Sequence, residues 1–113
     1  MTKQNIHNKI VNDLENRLGD KSYVLSVQSE VEYRGGIADI IYHPTNRLVY
    51  IEIKCNYNKK SLEHAKVQLL RWSKYAHKHN GGIDCYGIYY TPTKIKIVAK
   101  NGVLRVWKLF KNI

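Results

Sequence analysis

The pattern of apolar and polar residues predicts two amphipathic helices. The first covers residues 4–18, where apolar side chains recur every four residues until Gly19 ends the pattern. The second covers about residues 62–79, with Ser61 as its expected N-cap and a glycine pair after its end. The apolar stripes consist of Ile6, Ile10, Leu14 and Leu18 in the first helix and of Ala65, Leu69, Trp72 and Ala76 in the second. Each helix is therefore expected to bury one face.

Several further segments have the composition or the alternation of β-strands. Residues 22–33 and 83–91 are rich in apolar and aromatic side chains. Residues 94–99 and 103–109 alternate apolar and polar side chains, and the dipeptide Asn101-Gly102 between them favours a type I′ hairpin turn. Because the segment 83–91 follows the second helix, we expect a right-handed crossover that ends in a parallel strand pair.

The central stretch of the chain carries acids inside two apolar segments. Asp39 lies within Ile37–Ile41, and Glu52 lies within Val49–Ile53. Lys54 follows Glu52 by two residues, so strand geometry places these two side chains on one face. The apolar residues that alternate with them form the opposite face, which we expect to be core.

A hairpin between these two segments would bring the two acids together. If its turn is centred between Thr45 and Asn46, opposed residue numbers sum to 91, and Asp39 stands opposite Glu52. Their Cβ atoms would then be roughly 5 Å apart. Carboxylates so placed repel each other unless a cation lies between them, either Lys54 or a divalent metal. Because apolar residues bracket both acids, the pattern favours a metal site over a solvated ion cluster.

The predicted order of elements is a helix, three strands, a helix, a strand and a C-terminal β-hairpin. This order indicates an α/β fold, in which a mixed sheet is flanked by helices. The chain has 113 residues, a length typical of one domain, so we expect a single domain over residues 1–113.

The acid and the Glu-x-Lys tripeptide resemble the signature of a known enzyme superfamily. Asp39, followed after a short hairpin by Glu52-Ile53-Lys54, is similar to the motif of the PD-(D/E)XK nucleases. The resemblance covers about residues 4–91, within the size of one such domain, and Ala38 stands where many members have proline. It implies a restriction-endonuclease-like αβββαβ core and a Mg-dependent deoxyribonuclease activity.

The resemblance also implies a specific role for each of these residues. Asp39 and Glu52 would bind Mg²⁺, with Mn²⁺ as a substitute, and the Ile53 carbonyl could add a ligand. The ion would lower the pKa of a bound water and polarise the phosphate. Lys54 would orient the attacking water or stabilise developing negative charge.

Three further residues are candidates for supporting roles. Many members of the superfamily carry an acid on the first helix, and here the inward-facing position is His7, with Glu15 at the margin of the stripe. His7 could replace that acid or orient a phosphate, although a single histidine on an apolar face is more often a core residue. Gln68 matches a glutamine that supports the active site in several branches, or it is a solvated edge residue.

The charge of the chain points to an anionic partner. Nineteen Lys and Arg against nine Asp and Glu give a net charge of +10, which favours nucleic acid and, with the resemblance, DNA. The candidate phosphate-binding residues are Arg34, Lys59, Lys60, Lys66, Arg71, Lys74 and Lys78. Two alternatives remain: a non-catalytic nucleic-acid-binding module on the same fold, and a small interaction protein whose basicity is incidental.

Other features of the sequence bear on the cellular location of the protein, its substrate and its oligomeric state. The chain has no apolar run near the roughly 20 residues of a membrane span and no signal-peptide pattern, so we expect an intracellular protein. Cys55 and Cys85 are expected to be buried thiols rather than zinc ligands. Small size favours structure-selective cutting of junction, nicked, flap or single-stranded DNA. Nine tyrosines with Trp107 and Phe110 could supply a homodimer interface.

Overall fold

The computed structural model describes residues 3–33, 36–55, 58–91 and 94–104. These residues form two helices and six strands in the predicted order. The elements are α1 (Lys3–Gly19), β1 (Val24–Tyr33), β2 (Gly36–Pro44), β3 (Arg47–Ile53), α2 (Lys59–His79), β4 (Asp84–Thr91), β5 (Lys94–Lys100) and β6 (Val103–Leu104).

The six strands form one mixed sheet whose spatial order is the order of the chain, β1 to β6. All neighbouring strands are antiparallel except β3 and β4, which are parallel and joined through α2. The predicted parallel pair is therefore confirmed. The predicted register of β2 and β3 is also confirmed, because the pairs are Ile40–Ile51, Ile41–Tyr50 and Tyr42–Val49.

Helix α1 covers one cluster of buried side chains. Val11, Leu14 and Leu18 are buried there, whereas Ile6 at the start of the helix is 38% exposed. The sheet residues of this cluster are Ile40, Tyr42, Val49, Ile51, Ile53, Ile88 and Tyr90. The alternation of Val49, Ile51 and Ile53 along β3 thus forms the core face that the sequence predicts.

Helix α2 covers a second cluster. Its buried stripe contains the four predicted residues together with Leu62, and it packs against Tyr50 and Tyr89 of the sheet. The approach is closest at Gly87, where a Cβ added to the glycine would lie 2.7 Å from the Cβ of Leu69. A side chain at this position would force the helix away from β4, so glycine is needed for the close contact.

The prediction that Ser61 caps α2 is wrong. Asn58 is the N-cap, because its backbone is extended and its Oδ1 accepts hydrogen bonds from the backbone N–H groups of Lys60 (2.8 Å) and Ser61 (3.1 Å). The Ser61 hydroxyl instead donates to the Asn58 carbonyl and lies 2.9 Å from the hydroxyl of Tyr89. These bonds tie the start of α2 to β4.

The C-terminal hairpin turns at the predicted dipeptide. Asn101 and Gly102 both have positive φ, as a type I′ turn requires. The turn docks on α2, since the Gly102 N–H donates to the hydroxyl of Ser73 over 2.9 Å. Only Val103–Leu104 of the predicted second strand is described. The rest of that strand lies outside the described residues, as do Trp107 and Phe110, the two aromatic candidates for a dimer interface.

The two cysteines differ in their surroundings. Cys85 is buried as predicted, and burial raises the pKa of its thiol to about 11. Cys55 is half-buried, just beyond the end of β3. Within the described part of the chain, neither helix is long and apolar enough to cross a bilayer.

Candidate active site

The backbone pairing of β2 and β3 ends just before the two acids. The last paired residues are Ile40 and Ile51. Beyond them, Oδ2 of Asp39 accepts a hydrogen bond of 2.8 Å from the backbone N–H of Ile53. The Asp39 carboxylate thus accepts a hydrogen bond from the main chain of β3. Both acids lie beyond the last backbone pair between the two strands.

Strand β1 is irregular at the same level of the sheet. Ser29 pairs with Ile40 and Val31 with Ala38, so Glu30 stands beside Asp39 in the register. Glu30 has φ of 50°, a left-handed conformation that costs of order 1–3 kcal/mol in a residue other than glycine. Its side chain is exposed. Nothing in the sequence signals this strain, which accumulates where Asp39 is placed.

Glu52 is buried and held by its own strand. Only 8% of the residue is exposed, and Oε2 accepts a hydrogen bond of 2.7 Å from the hydroxyl of Tyr50. Nζ of Lys54 lies 3.7 Å from Oε1. Tyr50, Glu52 and Lys54 alternate along the strand, so period 2 places all three on one face.

Burial and the neighbouring Asp39 both affect the titration of Glu52. Burial raises the pKa of Glu52 to about 7, and the negative charge of Asp39 contributes to the rise, while the Tyr50 hydrogen bond and the Lys54 charge oppose it. Lys54 alone therefore does not compensate the pair. The protonated form of Glu52 is therefore favoured at pH values below about 7.

Helix α1 contributes His7 to the same site. Nε2 of His7 lies 3.3 Å from Oδ1 of Asp39, and the buried Nδ1 atom has no hydrogen-bond partner among the described residues. Both oxygens of Asp39 thus have neighbours, Ile53 on one side and His7 on the other. Glu15, the other candidate on this helix, lies eight residues further on, about 12 Å along the axis, and its buried Oε2 has no hydrogen-bond partner in the part of the chain that the structure describes.

Helix α2 reaches the site through an aromatic contact rather than through Gln68. The ring of Trp72 packs edge-on against Tyr50, with centroids 5.4 Å apart and planes at 78°. The half-buried Gln68 makes no side-chain hydrogen bond to Asp39 or Glu52 within the described part of the chain. Sequence analysis missed Tyr50, although its position two residues before Glu52 on one strand face could have identified it.

The donor set suits a hard divalent cation. Asp39 and Glu52 offer carboxylate oxygens, which Mg²⁺ prefers, and Mg²⁺ keeps several waters when few protein ligands are present. Among residues 3–33, 36–55, 58–91 and 94–104, no group of three or more His, Cys, Asp or Glu side chains is arranged to hold a metal. Burial, and after it the charge of Asp39, raises the pKa of Glu52 to about 7, and a cation bound between the two carboxylates would oppose that rise.

Most of the candidate phosphate-binding residues lie on α2. Lys59, Lys60, Arg71, Lys74 and Lys78 are exposed on this helix. Lys66 is half-buried, and its Nζ lies 2.9 Å from the carboxylate of Glu63, so its charge is partly compensated. Arg34 lies outside the described residues.

A comparison of this fold with solved structures identifies an enzyme of known class. The chain is similar to the crystal structure of a repair endonuclease from Pyrococcus abyssi, with a TM-score of 0.56 and 20% sequence identity. The similarity covers 81% of this chain but only 38% of that one. No protein-family model matches the chain, and no curated protein matches it in sequence. The mixed six-stranded sheet with its two helices and this structural similarity confirm the predicted restriction-endonuclease-like fold.

Proposed function

We propose that this chain is a metal-dependent endonuclease of the PD-(D/E)XK type that hydrolyses phosphodiester bonds of DNA. The observation that carries the proposal is the opened end of the β2–β3 hairpin, where Asp39 and Glu52 adjoin and Lys54 lies beside Glu52. The similarity to a repair endonuclease supports the same class of activity.

Asp39 and Glu52 would hold Mg²⁺ or Mn²⁺, with the Ile53 carbonyl as a further ligand. When bound, the ion supplies an acidified water and polarises the phosphate. The hydrogen bonds already present orient the two acids: Ile53 and His7 contact Asp39, and Tyr50 donates to Glu52. Metal binding requires both carboxylates to be ionised, so it would release protons from the fraction of Glu52 that is protonated near pH 7.

The remaining residues would act on the substrate or on these ligands. Lys54 carries a positive charge beside Glu52, and it would orient the attacking water or stabilise the charge that develops on the phosphate. His7 would orient Asp39 through the Oδ1 contact. Gln68 is half-buried at the edge of the buried stripe of α2 and makes no hydrogen bond to either acid within the described residues, so a supporting role for it would have to act on bound substrate or water.

DNA would be held mainly through its backbone. Exposed lysines and an arginine on α2 can contact phosphates, and such contacts position a duplex without reading its sequence. This distribution favours structure-selective cleavage over sequence-specific cleavage. Affinity should fall with salt, with a slope of log K against log[salt] of about −0.9 per phosphate contacted.

A cleavage panel tests the proposal. Single-stranded, duplex, flap and four-way-junction DNA are incubated with the protein in Mg²⁺, in Mn²⁺ and in EDTA. We expect metal-dependent cutting that is lost in Asp39→Ala and in Glu52→Ala. Asp13→Ala, an exposed acid on α1, is the matched control and should cut as the wild type does. Cutting by either site variant at the wild-type rate would exclude this site.

A non-catalytic nucleic-acid-binding module is the second candidate. It is favoured by the lack, in the described ranges, of any group of three or more His, Cys, Asp or Glu side chains that could hold a metal ion. This function predicts salt-dependent DNA binding with no cleavage of any substrate in either metal. A DNA affinity that does not change with salt concentration would contradict both candidate functions.

A further inference from the structure

The exposed side of α2 carries a row of side chains that the proposed catalysis does not use. Val67, Arg71, Tyr75 and His79 are spaced by four residues, so they are neighbours along the surface of the helix. All four are exposed, and Tyr75, an aromatic residue, is 42% exposed. None belongs to the stripe that packs on the sheet.

Two rings of this row are stacked on each other in solvent. The centroids of Tyr75 and His79 are 4.2 Å apart, and their planes are tilted by 38°. The contact covers part of the Tyr75 ring, and 42% of the residue remains exposed. An exposed tyrosine ring can accept another flat ring at a low cost in side-chain entropy, because it has only two χ angles.

The charges around this pair identify the kind of ring that would stack there. Arg71 precedes Tyr75 by one turn, and Lys74 and Lys78 form an adjacent row on the same exposed side. The exposed acid of this helix, Glu63, lies three turns away and is paired with Lys66. Aromatic rings set among cations are the features that bind single-stranded nucleic acid, because bases stack while phosphates meet the charges.

We propose that Tyr75, supported by His79, is a stacking platform for an unpaired base of the DNA substrate. The proposal rests on the proposed function and narrows its substrate to DNA that contains a single-stranded segment next to a duplex. A paired base inside a duplex has both of its faces covered, so it cannot use this platform. Every unpaired base has a free face, so the contact selects structure and not sequence.

The helix sets the distance between the platform and the candidate active site. Asn58 caps α2 four residues after Lys54, and Tyr75 is seventeen residues beyond this cap. At 1.5 Å per residue, the platform lies about 25 Å along the axis from this cap, but only about 4.5 Å along the axis from Trp72, whose ring contacts Tyr50 of the candidate site.

Equilibrium binding in EDTA tests the platform without cleavage. The probes are a duplex with a single-stranded tail and a blunt duplex with the same number of phosphates, each followed by fluorescence anisotropy. A 2-aminopurine in the tail reports stacking through its emission. The wild type should bind the tailed duplex more tightly and change the 2-aminopurine emission.

Four variants separate stacking from charge. Tyr75→Ala should weaken binding of the tailed duplex about 5- to 30-fold, as loss of one base stack does, and should change blunt-duplex binding less than about twofold. Tyr75→Phe keeps the ring and should retain the preference. Val67→Ala, on the same exposed row, is the matched control and should bind as the wild type does. Arg71→Ala should weaken both duplexes alike.

The binding test of the Tyr75 platform is judged independently of the cleavage panel. Equal loss of affinity for both duplexes in Tyr75→Ala, or no loss, overturns the platform even if the protein cuts DNA. A tail preference that depends on the Tyr75 ring supports the platform even if no substrate is cut, in which case the nuclease proposal alone fails. Thermal unfolding of each variant verifies that it is folded.

Discussion

The two ends of the β2–β3 hairpin are built on different principles. At the turn end, Tyr42 pairs with Val49 and Ile40 with Ile51, with backbone hydrogen bonds and buried side chains. At the open end the ladder stops, and the carboxylate of Asp39 binds the N–H of Ile53. One hairpin therefore combines a part that stabilises the sheet with a part that holds charged groups in an unfavourable environment.

The difference between the two ends shows that the turn end stabilises the sheet and thereby allows the open end to hold its charged groups. Fully burying a large apolar side chain contributes about 1.5–3 kcal/mol, so the apolar pairs near the turn give β3 a firm position in the sheet. The open end works against stability, because burial and the charge of Asp39 raise the pKa of Glu52 to about 7. A site of this kind persists only where neighbouring packing determines its geometry.

Removing packing at the turn end should have the largest effect on stability. Ile51→Ala deletes a fully buried side chain and should lower the free energy of unfolding by about 2–5 kcal/mol. The control is Ile37→Ala, at the open end of the same hairpin, where the side chain is 60% exposed and the expected change is within about 0.5 kcal/mol. Urea denaturation measures both, and equal losses would contradict the contrast between the ends.

Neutralising the open end should change how stability depends on pH. The folded-state pKa of Glu52, about 7, lies above its ordinary value of 4.5, so the protonated form stabilises the fold below pH 4.5 and this contribution is lost as the pH rises through 7. The loss is on the order of 3 kcal/mol without divalent metal. Glu52→Gln should not show it, whereas Glu32→Gln, an exposed acid on β1, should behave as the wild type.

The measurement is the free energy of unfolding at pH 4.5 and pH 8 in EDTA, then in Mg²⁺. Bound metal should raise the stability of the wild type at pH 8 back to its level at pH 4.5, because the positive charge of the metal takes the place of the proton on Glu52. An identical pH response in the wild type and in Glu52→Gln would show that Glu52 is not the titrating group.

Lys54→Ala tests whether the open end has a catalytic cation. Its single-turnover rate should fall by about 10²-fold or more, the usual effect of losing one electrostatic stabiliser. Arg47→Ala removes an exposed cation from the turn end of the same hairpin and should leave the rate unchanged. If Lys54 only neutralises the acids, saturating Mg²⁺ will restore both the melting temperature and the activity of the variant, and the catalytic role is then excluded.

The hydroxyl of Tyr50 should have the smallest of these effects. Tyr50→Phe keeps the ring against Trp72 but removes the hydrogen bond to Glu52, so metal affinity should fall by about fivefold, equivalent to about 1 kcal/mol. Calorimetry with Mn²⁺ measures the change. Tyr42→Phe, a buried tyrosine of the turn end, should leave metal affinity as it is. A loss of equal size in both variants would indicate a general effect on folding.

The sequence was a good guide wherever a periodic pattern determined the structure. A turn centred between Thr45 and Asn46 placed Tyr42 opposite Val49 and Ile40 opposite Ile51, and from this register the meeting of the two acids followed. The parallel pair of β3 and β4 followed from a helix between two strands. These features depend on burial, which leaves a regular trace in the sequence.

Features that depend on single side-chain bonds could not be predicted in the same way. Asn58 rather than Ser61 caps α2, although both residue types are good N-caps. The sequence does not show which of the two acts as the cap, whereas in the structure the Ser61 hydroxyl lies beside the hydroxyl of Tyr89. The left-handed Glu30 has no sequence signal, since its conformation results from the sheet around it. His7 was one of two candidates on α1, and its closeness to Asp39 required the actual packing of the helix.

The order of the strands has a consequence for how the chain folds. Because strands that are neighbours in the sheet are also neighbours in the chain, four of the five contacts between strands close through short connections. Only β3 and β4 must find each other across the length of α2. Long closures are slower than short ones, so we expect the docking of α2, with Leu69 against Gly87, to limit the folding rate. The slowest step of folding would then also be the one that brings the ring of Trp72 against Tyr50 at the site.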